Sequence, residues 1–482
     1  MNFREKSNNP INRISHVISL FTKLLFFFII IWNITIYLSF EQNEISLSDS
    51  ESLQTVSPLS TNVQTSNSVE NSNFNISTPL EIENNDIDIS INRKYCGSNE
   101  CKFLFAYRIP EQETQANSHF YSFTQLAEML NRTMVLVNVQ NSRIESCKNL
   151  PFNFYYNIEE LKKLFPTVNF ITQEEFLNWT KERYKKPNAI FRSILPGGIP
   201  NTISNTSITR QDLNKAIRER CLDKFDFKFN MENDYPILNS IHIGPNTWRK
   251  FHNNIDMTKF LVSYLQEIDE QVLLISHDLR NPLFPSKGPN IPLPYASHLV
   301  EAANSVTKHL RPYIAIHWRQ ESAVTRMMPT CAINLVKYIK RLKLQTGIEN
   351  IYLATDYPLY QGGKKAQSST FHTLYQEHHD SMKILNSTFN LNTWVSLKTL
   401  DVLYELFPQF KHYIEKEFEG SGIQGIFDKL VLINSEYFVS GPRGCARISS
   451  NFTKKIYMAR KLLMKINKNI HNDVSHWSIE RR

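Results

Sequence analysis

Apolar positions divide the chain into three stretches of different character. Leu24–Phe40 is an almost continuous apolar run, and with the residues back to Val17 it is just long enough to cross a bilayer core of about 30 Å. Residues 41–92 are rich in Ser, Asn, Thr and Glu and contain few large apolar side chains, which predicts a disordered stem. From about residue 93 onward, short apolar runs alternate with amphipathic segments. This order predicts an N-terminal transmembrane helix, a flexible tether and a folded α/β region.

The folded region opens with the pattern of a strand, a loop, a helix and a second strand. The strands are predicted at Lys102–Tyr107 and Met134–Val139, with a helix at Ser118–Leu130 between them. Such a unit requires parallel strands, and ligands of open parallel sheets bind beyond the carboxyl ends of the strands. The polar loop 108–117, which carries Glu111, should lie at that edge. Its polar side chains are interpreted either as ligand contacts or as ordinary solvated residues.

A second unit of the same kind follows in the C-terminal part. Strands are predicted at Tyr313–Ile316 and Ile351–Thr355, and a helix near 330–346 is bounded by Pro329 and Gly347. Polar side chains again come directly after the buried strands; they are His317, Arg319, Glu321 and Asp356. An Arg at such a position can bind a diphosphate through two parallel hydrogen bonds, but it can equally close the strand through a local salt bridge.

The last unit carries a turn of small residues. A helix over 426–433 bears Asp428, the strand Tyr437–Ser440 follows, and a turn containing Gly441, Gly444 and Ser450 leads into a helix from about Phe452. A turn of this kind at a helix N-terminus can present backbone N–H groups to an anion, although most such turns bind nothing. The basic residues of the helix 452–468 are interpreted as a solvated face.

The charge distribution limits the choice of partners. The formal net charge is +8, and residues 41–92 contain nine acids and no Lys or Arg, so the rest of the chain is more basic than the whole. This balance suits a phosphate-bearing ligand, although ordinary surface Lys and Arg account for most charge of this kind. No basic stripe with interleaved aromatics, zinc-finger spacing or basic-zipper pattern occurs in the sequence, which argues against a nucleic-acid partner.

The residues that flank the apolar run predict its orientation. Arg4, Lys6 and Arg13 precede it, whereas Glu41 and Glu44 follow it. The positive-inside rule places the N-terminus in the cytosol and the rest of the chain in the lumen of the Golgi or endoplasmic reticulum, as a single-pass type II protein. A cleaved signal peptide is the alternative, but no clean cleavage site follows the run.

Cysteines and short motifs fit a luminal location. Six cysteines allow up to three structural disulfides, and spacing alone leaves fifteen pairings open. Asp86-Ile87-Asp88 matches an Asp-x-Asp metal motif, but because it falls in the predicted stem it is interpreted as solvated charge, and no metal site is predicted. Beyond the apolar run, N-glycosylation sequons begin at Asn75, Asn131, Asn178, Asn205, Asn386 and Asn451.

Several blocks, taken together, resemble the GDP-fucose protein O-fucosyltransferases between about residues 100 and 465. They are the loop before Asn117-Ser118-His119-Phe120, the segment Leu130-Asn131-Arg132-Thr133, His317-Trp318-Arg319, Ala354-Thr355-Asp356, and the stretch from Asp428 through Ser450 to Phe452. The resemblance implies a GT-B fold, in which two Rossmann-like domains face each other across a cleft. It also implies inverting transfer of fucose from GDP-fucose to Ser or Thr of a protein acceptor, with no metal or other cofactor.

The resemblance further implies roles for individual residues. Glu111 would act as the general base, and Arg319 would hold the donor phosphates and stabilise departing GDP. Asp428 would hydrogen-bond the guanine, and Ser450 to Phe452 would cradle the diphosphate and pack on the base. The implied donor-binding set is His317, Arg319, Asp356, Asp428, Ser450, Asn451 and Phe452.

Three departures from the family pattern leave other functions open. The first loop contains no glycine, Glu321 stands where an Asp is common, and Asn451 replaces the middle residue of Ser-Ser-Phe and begins a sequon. A glycan on Asn451 would block the turn, so we predict that it is unmodified in an active enzyme. The alternatives are a GT-B transferase with another nucleotide sugar or a glycan acceptor, and a catalytically silent luminal protein that binds glycans or nucleotide.

The predicted organisation therefore has six parts. They are a cytosolic tail (1–16), a transmembrane signal-anchor (17–40), a disordered luminal stem (41–92), an N-terminal acceptor-side domain (93–300), a C-terminal nucleotide-sugar-binding domain (301–470) and a C-terminal tail (471–482).

Overall fold

The computed structural model describes most of the chain beyond the predicted stem. The described residues are 79–196, 203–207, 209–229, 236–240, 255–277, 282, 291–359, 371, 373–417, 422–447 and 450–479. The predicted cytosolic tail and signal-anchor lie outside them, as does most of the stem. Within the described residues, no helix is both long enough and apolar enough to span a bilayer.

The first half of the folded region, residues 79–296, is built on an eight-stranded sheet and a separate three-stranded sheet. In the large sheet the strands run in the order β6-β3-β1-β11-β7-β10-β8, with β9 beside β7, and every pair is parallel except β10 with β8. The small sheet has the antiparallel order β2-β5-β4. The strands are β1 (Phe103–Phe105), β2 (Arg108–Ile109), β3 (Thr133–Leu136), β4 (Val139–Gln140), β5 (Arg143–Glu145), β6 (Phe170–Thr172), β7 (Asn188–Pro196), β8 (Ile203–Ser207), β9 (Lys228–Phe229), β10 (Pro236–Ser240) and β11 (Val272–His277).

Local signals start several of the helices in this half. Thr172 accepts a hydrogen bond from the backbone N–H of Glu175, whose side chain bonds back to Thr172, so a capping box begins the helix Gln173–Glu182. Thr209 and Asp212 form a second capping box, at the start of the helix Arg210–Glu219. The α-helices are Pro79–Cys96, Glu113–Met129, Ile158–Leu164, Gln173–Glu182, Arg210–Glu219 and Ile255–Gln266, with short 3-10 turns at Phe152–Phe154 and Leu222–Lys224.

The second half, residues 297–479, is built on a five-stranded sheet that is parallel throughout. Its order is β14-β13-β12-β15-β16. The strands are β12 (Tyr313–Trp318), β13 (Asn350–Thr355), β14 (Leu391–Asn392), β15 (Tyr437–Ser440) and β16 (Ser475–His476). The three central strands are the ones that the sequence predicts in this region, and the parallel pairing of β12 with β13 is confirmed.

One helix of the second half follows its predicted boundaries closely. The helix Met328–Thr346 has Pro329 in its first turn and ends at Gly347, whose φ of 70° is in the left-handed region. The α-helices are Ser297–Leu310, Met328–Thr346, Gln376–Thr388, Thr399–Leu406, Lys411–Glu417, Gly422–Asn434 and Asn451–Leu463, with 3-10 turns at Thr325–Met327 and Pro408–Phe410. The predicted domain boundary at residue 300 falls inside the first of these helices.

The apolar core of the first half is completed by side chains from the second. Leu403, Ile423 and Phe427 are buried in one cluster with Phe105, Phe120 and other side chains of the first half. Two further clusters cover the faces of the five-stranded sheet. The segment from Trp394 to Leu430 thus belongs to the second half in sequence but packs on the core of the first.

The predicted stem contains an ordered helix at its C-terminal end. Residues 79–92 belong to the helix Pro79–Cys96, which packs against the helix Gln173–Glu182. Asp88 is buried, lies 3.4 Å from the guanidinium of Arg183, and accepts a hydrogen bond of 2.7 Å from the backbone N–H of Tyr184. The interpretation of Asp88 as solvated charge was therefore wrong, because its partners lie 95 to 97 residues further along the chain.

The predicted C-terminal tail also takes part in the fold. Ser475–His476 forms the edge strand β16 beside β15, and Trp477 is buried against Trp318 at a ring-centroid distance of 6.1 Å. Folded structure therefore continues beyond residue 470, where the sequence predicts a tail.

All six cysteines are paired. The disulfides are Cys96–Cys101, Cys147–Cys221 and Cys331–Cys445. The first two lie in the first half and the third lies in the second half. The sequence allows up to three structural disulfides, and the structure has all three, in one of the fifteen possible pairings.

Candidate functional site

The site is built at the carboxyl ends of the central strands of the five-stranded sheet. His317 is paired in register with Ala354 of β13 and with Ser440 of β15, so the three strands end close together. The helix Asn451–Leu463 begins at the same edge, as its contacts with His317 show. This is the location in which open parallel sheets bind ligands.

His317 is fixed between the strand end and that helix. It is buried, its Nδ1 lies 3.0 Å from Oγ1 of Thr453, and its ring lies 4.8 Å from the ring of Phe452. Burial, with a smaller effect from the Arg319 guanidinium, lowers the pKa of His317 to about 3. The imidazole is therefore neutral near pH 7, and it can offer a hydrogen bond without adding charge to the site.

Asp356 organises the loop that carries Arg319. Its two carboxylate oxygens accept hydrogen bonds from the backbone N–H groups of Gln320 at 2.7 Å and Glu321 at 3.0 Å. Burial raises the pKa of Asp356 to about 6, although the two N–H donors favour the ionised form. The resemblance implies that Asp356 takes part in donor binding, and the structure shows that its carboxylate fixes the loop after β12.

Arg319 is a partly exposed cation of this loop. A quarter of its side chain is exposed, and its guanidinium forms an ion pair with Glu321. An incoming diphosphate would have to compete with that carboxylate for the guanidinium. The salt-bridge alternative raised by the sequence is thus present in the structure, on a side chain that solvent can still reach.

Asp428 faces a tyrosine of the five-stranded sheet. It lies on the helix Gly422–Asn434, is buried, and accepts a hydrogen bond of 2.6 Å from the hydroxyl of Tyr352. Burial raises the pKa of Asp428 to about 7, and the Tyr352 hydrogen bond opposes this increase. The carboxylate is therefore held in place by the β-sheet.

The turn before the helix Asn451–Leu463 is held by side-chain contacts. Ser450 is its N-cap, and the Ser450 hydroxyl accepts a hydrogen bond of 3.5 Å from the backbone N–H of Thr453. The side-chain amide of Asn451 donates a hydrogen bond to Oε1 of Gln115 in the helix Glu113–Met129. The start of one helix in the second half thus contacts the start of one helix in the first half.

Glu111 lies just outside the first turn of that first-half helix. It precedes the N-cap Gln112, is half-buried, and has a φ of 71°, which is unusual for a residue with a side chain. Glu111 makes no hydrogen bond or ion pair with the other described residues, so its carboxylate is not committed to a partner among them. The contact between Gln115 and Asn451 brings the helix that follows Glu111 to the edge that carries His317.

Part of the loop predicted at 108–117 is helical. The helix begins at Glu113 instead of near Ser118, and both Glu113 and Asn117 are buried in its first turns. The reason is a partner far away in the sequence: Lys429 donates a hydrogen bond and forms an ion pair with Oε2 of Glu113.

These residues form a buried polar cluster that the sequence analysis missed. Oε1 of Glu113 accepts hydrogen bonds from Nδ2 of Asn117 at 2.6 Å and from the hydroxyl of Tyr295 at 2.7 Å. That hydroxyl in turn accepts one of 2.7 Å from Lys429, whose side chain is completely buried. One signal was available: Lys429 is a lone cation within the apolar sequence Ile426–Ile433, where an unpaired charge would be costly.

Charge pairing keeps this cluster ionised despite its burial. Burial acts to raise the pKa of Glu113, but Lys429 and the hydrogen bonds from Tyr295 and Asn117 hold it below its ordinary value. Burial lowers the pKa of Lys429, and Glu113 offsets part of that decrease. Glu113 is therefore a buried structural carboxylate, whereas Glu111 is the half-exposed one.

The basic helix of the second half is only partly a solvated face. Arg460 is fully buried and donates hydrogen bonds to backbone carbonyls that include Leu432, Ile433 and Ser435. Lys455 is also buried and donates to the carbonyl of Ile291 at 3.1 Å. The interpretation of these two side chains as solvated was wrong, because each one binds carbonyls of segments distant in the sequence.

One family model matches most of the folded region. The family model described as GDP-fucose protein O-fucosyltransferase matches residues 114–463. Among solved structures, POFUT1 in complex with GDP-fucose aligns at 12% identity and a TM-score of 0.45, covering 79% of this chain and 98% of that chain. The apo form of POFUT1 aligns at 13% identity and a TM-score of 0.43, with the same coverage.

A further solved structure of a fucosyltransferase is similar at the same low level of identity. NodZ alpha-1,6-fucosyltransferase, co-crystallised with GDP, aligns at 12% identity and a TM-score of 0.37, covering 76% of this chain and 93% of that chain. Among curated protein sequences, none matches this chain at a significant level. The family model spans well over half of the sequence and includes both the His317–Arg319 segment and the turn at Ser450. The chain therefore belongs to the GDP-fucose protein O-fucosyltransferase family and is a glycosyltransferase.

Proposed function

We propose that this protein transfers fucose from GDP-fucose, with inversion and without a metal, to a Ser or Thr hydroxyl of a protein acceptor. The observation that carries the proposal is the start of the helix Asn451–Leu463 at the carboxyl end of β12, where Phe452 and Thr453 contact His317. Backbone N–H groups of that helix start and the Arg319 guanidinium suit a diphosphate. The family match supports GDP-fucose as the donor.

The proposed architecture is GT-B, with the donor in the second half and the acceptor against the first. Two parallel sheets in one chain, and the contact between Gln115 and Asn451 at the starts of two helices, support it. We further propose a single-pass type II protein of the Golgi or endoplasmic reticulum, whose membrane helix at residues 17–40 lies outside the described residues. Three disulfides support a luminal location.

In this mechanism Glu111 is the general base. It takes the proton of the acceptor hydroxyl while the hydroxyl oxygen forms its bond to C1 of fucose, and the bond between C1 and the GDP oxygen breaks on the opposite face. Arg319 and the helix start stabilise the negative charge that develops on departing GDP. Of the two neighbouring glutamates, Glu111 fits this role because Glu113 is already paired with Lys429.

The test is a calorimetric titration of the full chain in detergent, with EDTA present, using GDP, GDP-fucose and UDP. Guanine nucleotides should bind selectively, and Arg319→Ala should weaken GDP binding by about ten- to a hundredfold, as expected for a lost charge-assisted contact. Arg341→Ala, on the exposed side of the helix Met328–Thr346, is the matched control and should bind as the wild type does. Equal binding of UDP, or no nucleotide binding by a folded sample, would overturn the proposal.

A further inference from the structure

One fully buried cation lies between the two halves, directly beside the donor site. Lys429 follows Asp428 on the helix Gly422–Asn434, and its ammonium contacts Glu113 and Tyr295 of the first half. The same ammonium lies 5.5 Å from the ring centroid of Phe452, the aromatic side chain that packs on His317. Lys429 thus contacts both the first turn of the helix after Glu111 and an aromatic residue of the proposed donor site.

Stability alone does not account for a lysine at this position. Removing an ion pair from water costs free energy that apolar side chains of similar volume would not cost. The benefit of such a pair is directional, because an ammonium with two oxygen partners fixes the distance between the segments that supply them. Here those segments are the start of the helix Glu113–Met129 and the segment at Tyr295, and Phe452 packs over the same ammonium.

A second contact works in parallel at the surface. The side chain of Asn451 donates to Gln115, two residues after Glu113. The first turns of two helices, one from each half, are therefore connected by a buried contact through Lys429 and by a surface contact through Asn451. Both contacts lie next to Phe452.

We propose that Lys429 is a positioning residue: by pairing with Glu113 it holds Phe452 against His317 and keeps the start of the first-half helix, with Glu111 before it, in register with the donor site. It does not touch substrate in this scheme. The inference rests on the proposed function for its consequence in catalysis, but the contacts themselves do not depend on it.

The experiment compares Lys429→Met with the double variant Lys429→Met/Glu113→Gln in the full chain. Lys429→Met leaves Glu113 buried without its charge partner, so both thermal stability and GDP affinity should fall, the latter by about tenfold. The double variant buries no unpaired charge and should regain most of the stability. It should not regain the GDP affinity, because the connection to Phe452 is still missing.

Tyr295→Phe and Lys461→Met complete the set. Tyr295→Phe removes only the hydroxyl that bonds to both Lys429 and Glu113 and leaves their direct ion pair, and it should weaken GDP binding about threefold without unfolding the protein. Lys461 is exposed in the last turn of the helix Asn451–Leu463, and Lys461→Met is the matched control that should change nothing. Hydrogen exchange of the backbone amides at 113–116 and 452–454 gives a readout that needs no nucleotide, and it should be faster in the Lys429 and Tyr295 variants only.

The experiment distinguishes failure of the proposed function from failure of the positioning role of Lys429. A wild-type protein that binds no GDP overturns the proposed function, while faster exchange at both helix starts in Lys429→Met would still support the positioning role. Unchanged exchange and unchanged GDP affinity in Tyr295→Phe and in the double variant would overturn the positioning role. So would GDP affinity that recovers together with stability in the double variant.

Discussion

At the scale of single residues, two glutamates only two positions apart have opposite environments. Glu113 is buried and shares its oxygens with Lys429, Tyr295 and Asn117, so its carboxylate has no capacity left for a reacting hydroxyl. Glu111 is half-buried and is bound to no other described side chain. A general base must be accessible and unpaired at the start of the reaction, which separates the two residues by environment alone.

Replacing each glutamate by glutamine should therefore give different results. Glu111→Gln should lower the rate of fucose transfer by about 10²- to 10⁴-fold, since the base is lost, and leave GDP affinity and thermal stability unchanged. Glu113→Gln should lower thermal stability, because Lys429 stays buried without a charged partner. Transfer assays and melting curves on both variants measure this, and a Glu111→Gln enzyme of full activity would remove Glu111 from the mechanism.

The raised pKa of Asp428 predicts that the stability of the folded protein depends on pH. Burial raises its pKa from 3.8 to about 7, so between these values the folded protein holds a proton that the unfolded chain has released. The resulting stabilisation is fully present below pH 3.8 and is lost as the pH rises through 7. Asp428→Asn cannot titrate, so from pH 5 to pH 8 the wild type should lose on the order of 3 kcal/mol relative to the variant.

Denaturant unfolding at several pH values measures that difference. Asp401→Asn, at an exposed position of the helix Thr399–Leu406, serves as the control and should follow the wild type. Parallel curves for wild type and Asp428→Asn would show that Asp428 is ionised in the fold across this range.

Asn451 should remain without a glycan although it begins a sequon. Its side-chain amide is bonded to Gln115, and the attachment of a sugar would break that contact and cover the start of the helix Asn451–Leu463. Asn386 is exposed on the helix Gln376–Thr388 and provides an internal comparison. Peptide mass mapping of the secretory-pathway protein should find Asn451 unmodified, whereas an active enzyme glycosylated there would contradict the proposed site.

At the scale of helices and strands, the local pattern of apolar and polar residues predicted the alternation of strands and helices. It did not predict the side-chain pairings between segments that are distant in sequence. The strand Tyr437–Ser440 was predicted with its observed bounds, and Pro329 and Gly347 marked one helix, because buried strands and helix ends have local signals. The helical first turn at Glu113 and the burial of Asp88 were missed. Each is stabilised by a charge far away in the sequence, Lys429 and Arg183 respectively, which no local pattern contains.

The helix Pro79–Cys96 should contribute to the stability of the folded region. Asp88→Asn leaves the buried guanidinium of Arg183 without its carboxylate, which should cost about 3 kcal/mol of unfolding free energy. Asp86→Asn changes an exposed residue of the same helix and should cost almost nothing. A chain shortened to begin at residue 93 should be destabilised at least as much as Asp88→Asn, relative to a chain that begins at residue 76 and keeps the helix; equal melting of the two shortened chains would contradict this role.

At the scale of the whole molecule, the two halves are joined through packing and not through cysteines. Each disulfide joins two cysteines of the same half. The pair with the greatest separation in sequence is Cys331 and Cys445. The contacts that cross between the halves include the buried Glu113–Lys429 pair, the apolar segment from Trp394 to Leu430, and the hydrogen bond from Tyr155 to Glu417 at 2.8 Å. Because the two halves share one core, they are expected to unfold together in a single cooperative transition.

The shared core also constrains the order of events during biosynthesis. A chain that emerges from its N-terminus supplies all the described strands of the first half before Leu403, Ile423 and Phe427 exist. Until synthesis has passed residue 430, the apolar side chains that those three cover stay open to solvent and Glu113 lacks its cation. We therefore expect the first half to bind chaperones for most of the time that the ribosome needs to complete the second.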